Sequence, residues 1–135
     1  MPVLCAAGAE MDEKLRECLP AHDLTFVRTM REALAALRHD GYGLLVIELG
    51  FDESRMFELL QYVRALPKYA GVPVSCCYGD HLSLSDAVVR NIEVAVKALG
   101  GLAFLDLREG SFSYAPDCRL LGALAVQTGG MLPPN

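Results

Sequence analysis

The stretch from Gly41 to Leu66 constrains this chain more than any other. Leu44 to Leu49 is a continuous apolar run broken by one carboxylate, Glu48, the pattern of a strand buried on both faces of a parallel sheet. Phe57, Leu60 and Val63, with Leu59 and Leu66 one residue out, then recur at helical spacing. The loop between them begins at the carboxyl end of the strand, the edge where open α/β sheets place ligands and chemistry. Glu48 therefore stands where a working residue is expected.

The same alternation runs through the rest of the chain. Val3 to Ala7 predicts a first strand ending at Gly8, and Met11, Leu15, Cys18 and Leu19 share one face of the helix after it. Leu24 to Val27 is a short strand of mixed pattern, expected near a sheet edge. Thr29 and Glu32 form a capping box, and Gly41 closes the helix they open. A fourth strand opens at Gly71, with Pro73 early in it, and runs through Cys76 and Cys77 to Tyr78. Ser83 and Asp86 predict a second capping box and a helix to Leu99, ended by Gly100 and Gly101. Leu102 to Leu107 is the fifth strand, and a last helix carries Leu120, Leu121 and Leu124 up to Gly129 and Gly130. Strand and helix thus alternate five times, which implies parallel strands, right-handed crossovers and a three-layer α/β sandwich. The expected division is one domain over 1–128 and a tail or linker over 129–135, where Pro133 and Pro134 fall.

Composition narrows the function classes. With 53% hydrophobic and 21% charged residues the chain is not of the disordered type. A net charge of −5 argues against a nucleic-acid or anionic-membrane partner, and no apolar run reaches membrane-spanning length. The five cysteines show no CxxC pair and no count that closes into bridges, so reduced thiols in a cytoplasmic protein are expected. Cys76 and Cys77, adjacent on a strand, should face opposite layers as small buried hydrophobes. His22, His39 and His81 have no ligand spacing and are expected at the surface. Nothing calls for a cofactor, and no nucleophile–base pair or metal cluster can be named, so an enzyme is not expected.

The order of elements resembles the receiver domain of bacterial two-component response regulators. The resemblance rests on Tyr42-Gly-Leu-Leu-Val-Ile-Glu48 and Phe57-Glu-Leu-Leu60 with Arg64 following. Pro73-Val74 and the approach from Gly100-Gly101 to Phe104-Leu105 add to it. It spans Val3 to about Gln127 and implies a flavodoxin-like (CheY-like) doubly wound sandwich with strand order 2-1-3-4-5. It also places the phosphoacceptor position on Glu48 and the Mg²⁺-holding acidic pair on Ala7 and Gly8. The loop residue after the acceptor falls on Asp52, the fourth-strand hydroxyl on Tyr78 and the fifth-strand lysine on Leu107. Every catalytic position differs from the family's pattern. Phosphoryl transfer relies on a divalent ion, and Mg²⁺ wants several oxygen ligands. Only Glu48, a loop carbonyl and Asp52 remain, so neither a metal nor a catalytic residue is expected. Glu48 either imitates weakly the charge of a phosphorylated acceptor or is a solvated strand-end acid without a role.

The helix after Ser83 is the other candidate region. Beyond a polar strip of Arg90, Glu93 and Lys97 it turns apolar again, and Val89, Val94 and Ala98 are candidate interface residues. In the resembling family the fourth helix, fifth strand and last helix form the signalling and dimerisation face. The expectation is a phosphorylation-independent, receiver-like signalling domain of two-component type, acting through a protein partner or a homodimer. The alternatives are a weak phosphoswitch at Glu48 or Asp52, and a small-molecule sensor using the space left at Ala7 and Gly8.

Overall fold

Apolar runs at Pro2–Ala6, Asp23–Val27, Leu44–Glu48, Val74–Tyr78 and Ala103–Asp106 form strands β1 to β5. All pair in parallel, in the order β2-β1-β3-β4-β5, as expected. Helices α1 (Asp12–Cys18), α2 (Met30–His39), α3 (Met56–Ala65), α4 (Asp86–Ala98) and α5 (Tyr114–Gly130) lie in the connections and after β5. The computed structural model describes residues 1–130, with side chains through Ala125. Gly129 and Gly130 still belong to α5, and residues 131–135 of the expected tail lie outside the described residues.

Residues of β3 and β4 are buried throughout because helices cover both faces of the sheet. Leu45, Ile47 and Cys76 join a core with Met30, Leu37, Leu60 and Val96 from α2, α3 and α4. Leu44, Val46 and Cys77 join a second core with Leu15, Cys18 and Leu121 from α1 and α5. Successive strand residues point to opposite faces, so Cys76 and Cys77 part as expected. The β2 strand is an edge, and its partly exposed pattern matches its mixed sequence.

The helix boundaries have local causes. Thr29 Oγ1 accepts from Glu32 N at 3.2 Å, while the Glu32 carboxylate takes Arg28 N at 2.7 Å. The α4 helix begins later than expected. Ser85, whose backbone is extended, accepts from Val88 N at 3.3 Å and caps it, and Ser83 stays outside. Gly100, at φ +95°, ends α4, with Gly101 N donating to Val96 O at 2.8 Å.

One expectation fails outright. Cys18 of α1 and Cys118 of α5 form a disulfide, with Cα atoms 5.0 Å apart across a sequence separation of 100. Spacing along the chain could not reveal it, because α1 and α5 meet only by packing on the same face of the sheet. Cys5, Cys76 and Cys77 are free and buried. Burial pushes the Cys76 thiol up to about 12. Burial, and then the neighbouring Glu48 carboxylate, pushes Cys77 well above its ordinary range. Neither is poised as a nucleophile. No helix among the described residues is long and apolar enough to cross a membrane.

Candidate functional site

The carboxyl ends of β1, β3, β4 and β5 open onto one edge, where Ala7, Gly8, Glu48, Gly79 and Leu107 sit. Glu48 is only 1% exposed, so it is not the solvated acid that was one expectation. Gly50 N donates to its Oε2 at 2.7 Å, and His81 Nε2 lies 3.0 Å from the same oxygen. Its other oxygen, Oε1, is buried without a hydrogen-bond partner. A buried carboxylate oxygen without a partner is costly, and a water, an ion or a polar ligand would each satisfy it.

His81 belongs to this site rather than to the surface alone. Its Nε2 also stands 3.4 Å from Glu10 Oε1, and donor atoms of Glu10, Glu48 and His81 all lie within 4.8 Å of one another. Glu10 comes from the short 3-10 turn Ala9–Met11 after β1, and His81 from the loop after β4. Three glycines leave the room they need. A Cβ at Gly8 would meet both Glu10 carboxylate oxygens at 2.5 Å. At Gly50 it would lie 2.9 Å from Glu48 Oε2 and 3.1 Å from His81 Nε2, and at Gly79 2.5 Å from Met11 Sδ. The space at Gly8 is thus taken by an acid two residues further on, and Ala7 is buried. The spacing rules for histidine could not find this triad, since its members come from a 3-10 turn, a strand end and a loop far apart in sequence. Only the coincidence of Glu10 and His81 with strand ends hinted at it.

The remaining expected positions are committed elsewhere. Asp52 Oδ2 accepts from Met30 N at 2.8 Å, capping α2, and Arg55 lies 3.5 Å from it. Asp52, Glu53 and Ser54 form a left-handed turn at φ 44°, 59° and 68°, a conformation non-glycine residues adopt at a cost. Tyr78 is buried, stacked on Phe104 with ring centroids 4.9 Å apart, and Arg108 covers it at 5.2 Å. Leu107 is buried in the core shared with α1 and α5. A lysine does reach this edge, but from α1: Lys14 Nζ donates to Leu107 O at 3.0 Å and pairs with Asp80. Asp12 is held by Arg28 in a bidentate pair at 2.8 and 2.6 Å, and Arg28 also donates to Ala7 O at 3.1 Å. At the end of β5, Asp106 accepts from Arg108 at 2.9 and 2.8 Å and from Ser111 Oγ at 2.6 Å. Burial alone would raise the Asp106 carboxyl, but these bonds outweigh it and hold the group at about 2.

The candidate interface residues divide. Val94 is 68% exposed and Ala98 is exposed, whereas Val89 is half-buried against the core.

Mg²⁺ fits these donors poorly. It demands near-octahedral oxygen ligands, and here one buried carboxylate and one half-exposed carboxylate share the edge with an imidazole. Of the further acids around this edge, Asp12 is occupied by Arg28, Asp52 by the end of α2 and Asp80 by Lys14.

No family profile and no curated protein matches the sequence. Solved structures do. A response regulator from Hahella chejuensis superposes with a TM-score of 0.72 at 18% identity, covering 99% of this chain and 98% of that one. The phosphorylated cyanobacterial phytochrome response regulator RcpA gives 0.71 at 15% identity, over 98% and 96%. The signal receiver domain of a DNA-binding response regulator from Colwellia psychrerythraea 34H gives 0.70 at 14% identity, over 97% and 99%. The chain therefore has the fold of response-regulator receiver domains, over nearly its whole length.

Proposed function

We propose that this chain is a receiver-type signalling domain that works by protein–protein contact without a phosphoryl switch, and that its contact face is built from α4, β5 and α5. The distribution of exposed apolar side chains carries the reading. Among the described residues, Val88 and Val94 on α4, Leu102 before β5, Phe112 in the following loop and Leu120 on α5 are all exposed. Phe112 is fully exposed, and elsewhere among the described residues only Tyr62 on α3 is a comparable large apolar group. Isolated exposed apolar residues are ordinary, but five of them on three consecutive elements, α4, the flanks of β5 and α5, support an interaction surface there. An open, largely polar cavity of about 500 Å³ adjoins Phe112, lined by Tyr78, Arg90, Glu93, Phe104 and Asp106.

The opposite argument supports the absence of a phosphoryl switch. Glu48 is buried against Gly50 and His81, and Asp12 and Asp52 are tied up in structural bonds. Light scattering across the micromolar range tests the contact. The expected result is a dimer that Phe112→Ser and Val94→Ser each dissociate without lowering the melting temperature, as surface substitutions leave stability nearly unchanged. A monomer at every concentration, with no partner retained on an immobilised column, overturns the reading.

A further inference from the structure

The poor fit to Mg²⁺ has a positive side. From Glu10, Glu48 and His81 we infer a binding site for a divalent first-row transition ion of the kind that accepts imidazole nitrogen, with Zn²⁺ as its representative. Imidazole and carboxylate together are borderline donors, suited to Zn²⁺, Co²⁺ or Ni²⁺ and not to Mg²⁺. The three residues present one nitrogen and two carboxylates within 4.8 Å, enough for three protein ligands with positions left for water.

Two independent observations point to a ligand rather than to a plain ion pair. Glu48 is 99% buried by its 1% exposure, yet its Oε1 has no partner, although His81 and Gly50 both attend Oε2. The space is also kept open by the backbone, since Cβ atoms at Gly8 and Gly50 would press on the donor groups. The exposed sides of His81 and Glu10 give the ion an entry path, while Glu48 anchors it from within the sheet edge. The site stands on different residues from the apolar face of α4 and α5, so its test is independent of that reading.

Isothermal titration of the full chain with ZnCl₂, and separately with MgCl₂, provides the test. One equivalent of Zn²⁺ is expected, with little heat from Mg²⁺. His81→Gln and Glu10→Gln, both at partly exposed positions where folding is not at risk, should each weaken Zn²⁺ by more than roughly tenfold, since even outer-shell partners of a metal count for that much. Circular dichroism of both variants checks that they fold. Absence of Zn²⁺ binding, or Zn²⁺ affinity unchanged in His81→Gln, overturns the inference. So does a site that takes Mg²⁺ equally well in wild type and His81→Gln.

Discussion

The ammonium of Lys14, on the first helix, donates to the carbonyl oxygen of Leu107 at the end of the fifth strand, 3.0 Å away and 93 residues along the chain. The same ammonium pairs with Asp80 in the loop after β4, whose carboxyl it holds below the usual range. One side chain thereby ties α1 to both loops that border the Glu48 site.

Lys14→Met tests that tie. A charge-assisted bond to a largely sheltered lysine contributes about 1–2 kcal/mol, so chemical denaturation should show a loss of that order. Amide exchange should rise around Asp80 and Glu109, because Asp80 also accepts from Glu109 N at 2.8 Å. Unchanged stability and exchange would remove the tie from the account.

The Asp106–Arg108 pair sets an acid-side limit. The carboxyl of Asp106 is held at about 2 in the folded protein and returns to about 3.9 when unfolded. A depressed carboxylate stabilises the fold above its unfolded pKa, and that stability is lost as pH falls through the folded value. Stability should therefore drop between about pH 4 and pH 2, by roughly 2 kcal/mol from this group. Arg108→Gln should shrink that pH dependence in urea titrations, and an identical pH profile in the variant would refute the assignment.

The Cys18–Cys118 disulfide closes a loop of 100 residues. Constraint of the unfolded chain at that loop length stabilises by about 2–4 kcal/mol in practice. Reduction, or Cys118→Ser, should lower the melting temperature by several degrees without changing the far-ultraviolet spectrum. Mass spectrometry under alkylation should find three free thiols in the untreated protein, matching Cys5, Cys76 and Cys77. Five alkylated cysteines would contradict the bridge.

Much of the scaffold was legible because it is written locally. Leu44 to Glu48 declares a strand covered on both faces, and Thr29 with Glu32 declares a helix start. Cys76 and Cys77 part to different layers by strand geometry alone. What escaped is non-local. Glu10 occupies the room that Gly8 leaves, and that exchange is invisible when Gly8 is taken as an empty position. His81 reaches Glu48 across two separate strand ends, and Lys14 serves an edge where the resembling family's fifth-strand lysine is replaced by Leu107. Ser85 displaced Ser83 as the cap of α4 although only Ser83 has an acid three residues on, because a serine hydroxyl caps without that partner and Ser85 holds the extended backbone before the first turn. The buried state of Glu48 was equally hidden, since a strand-end acid looks the same in sequence whether water or a histidine meets it.

A signalling domain that needs no phosphoryl group is tested most directly by two-dimensional amide NMR of the ¹⁵N-labelled chain, before and after addition of beryllofluoride with Mg²⁺ in excess. Beryllofluoride mimics a phosphoryl group on an accessible carboxylate, and Glu48 offers only a buried one flanked by His81. The resonances of Glu48 to Asp52, of the loop around His81 and of α4 should stay in place. Saturable shifts that begin at Glu48 and spread to Leu107 and α4 would contradict the account and establish a working phosphoswitch.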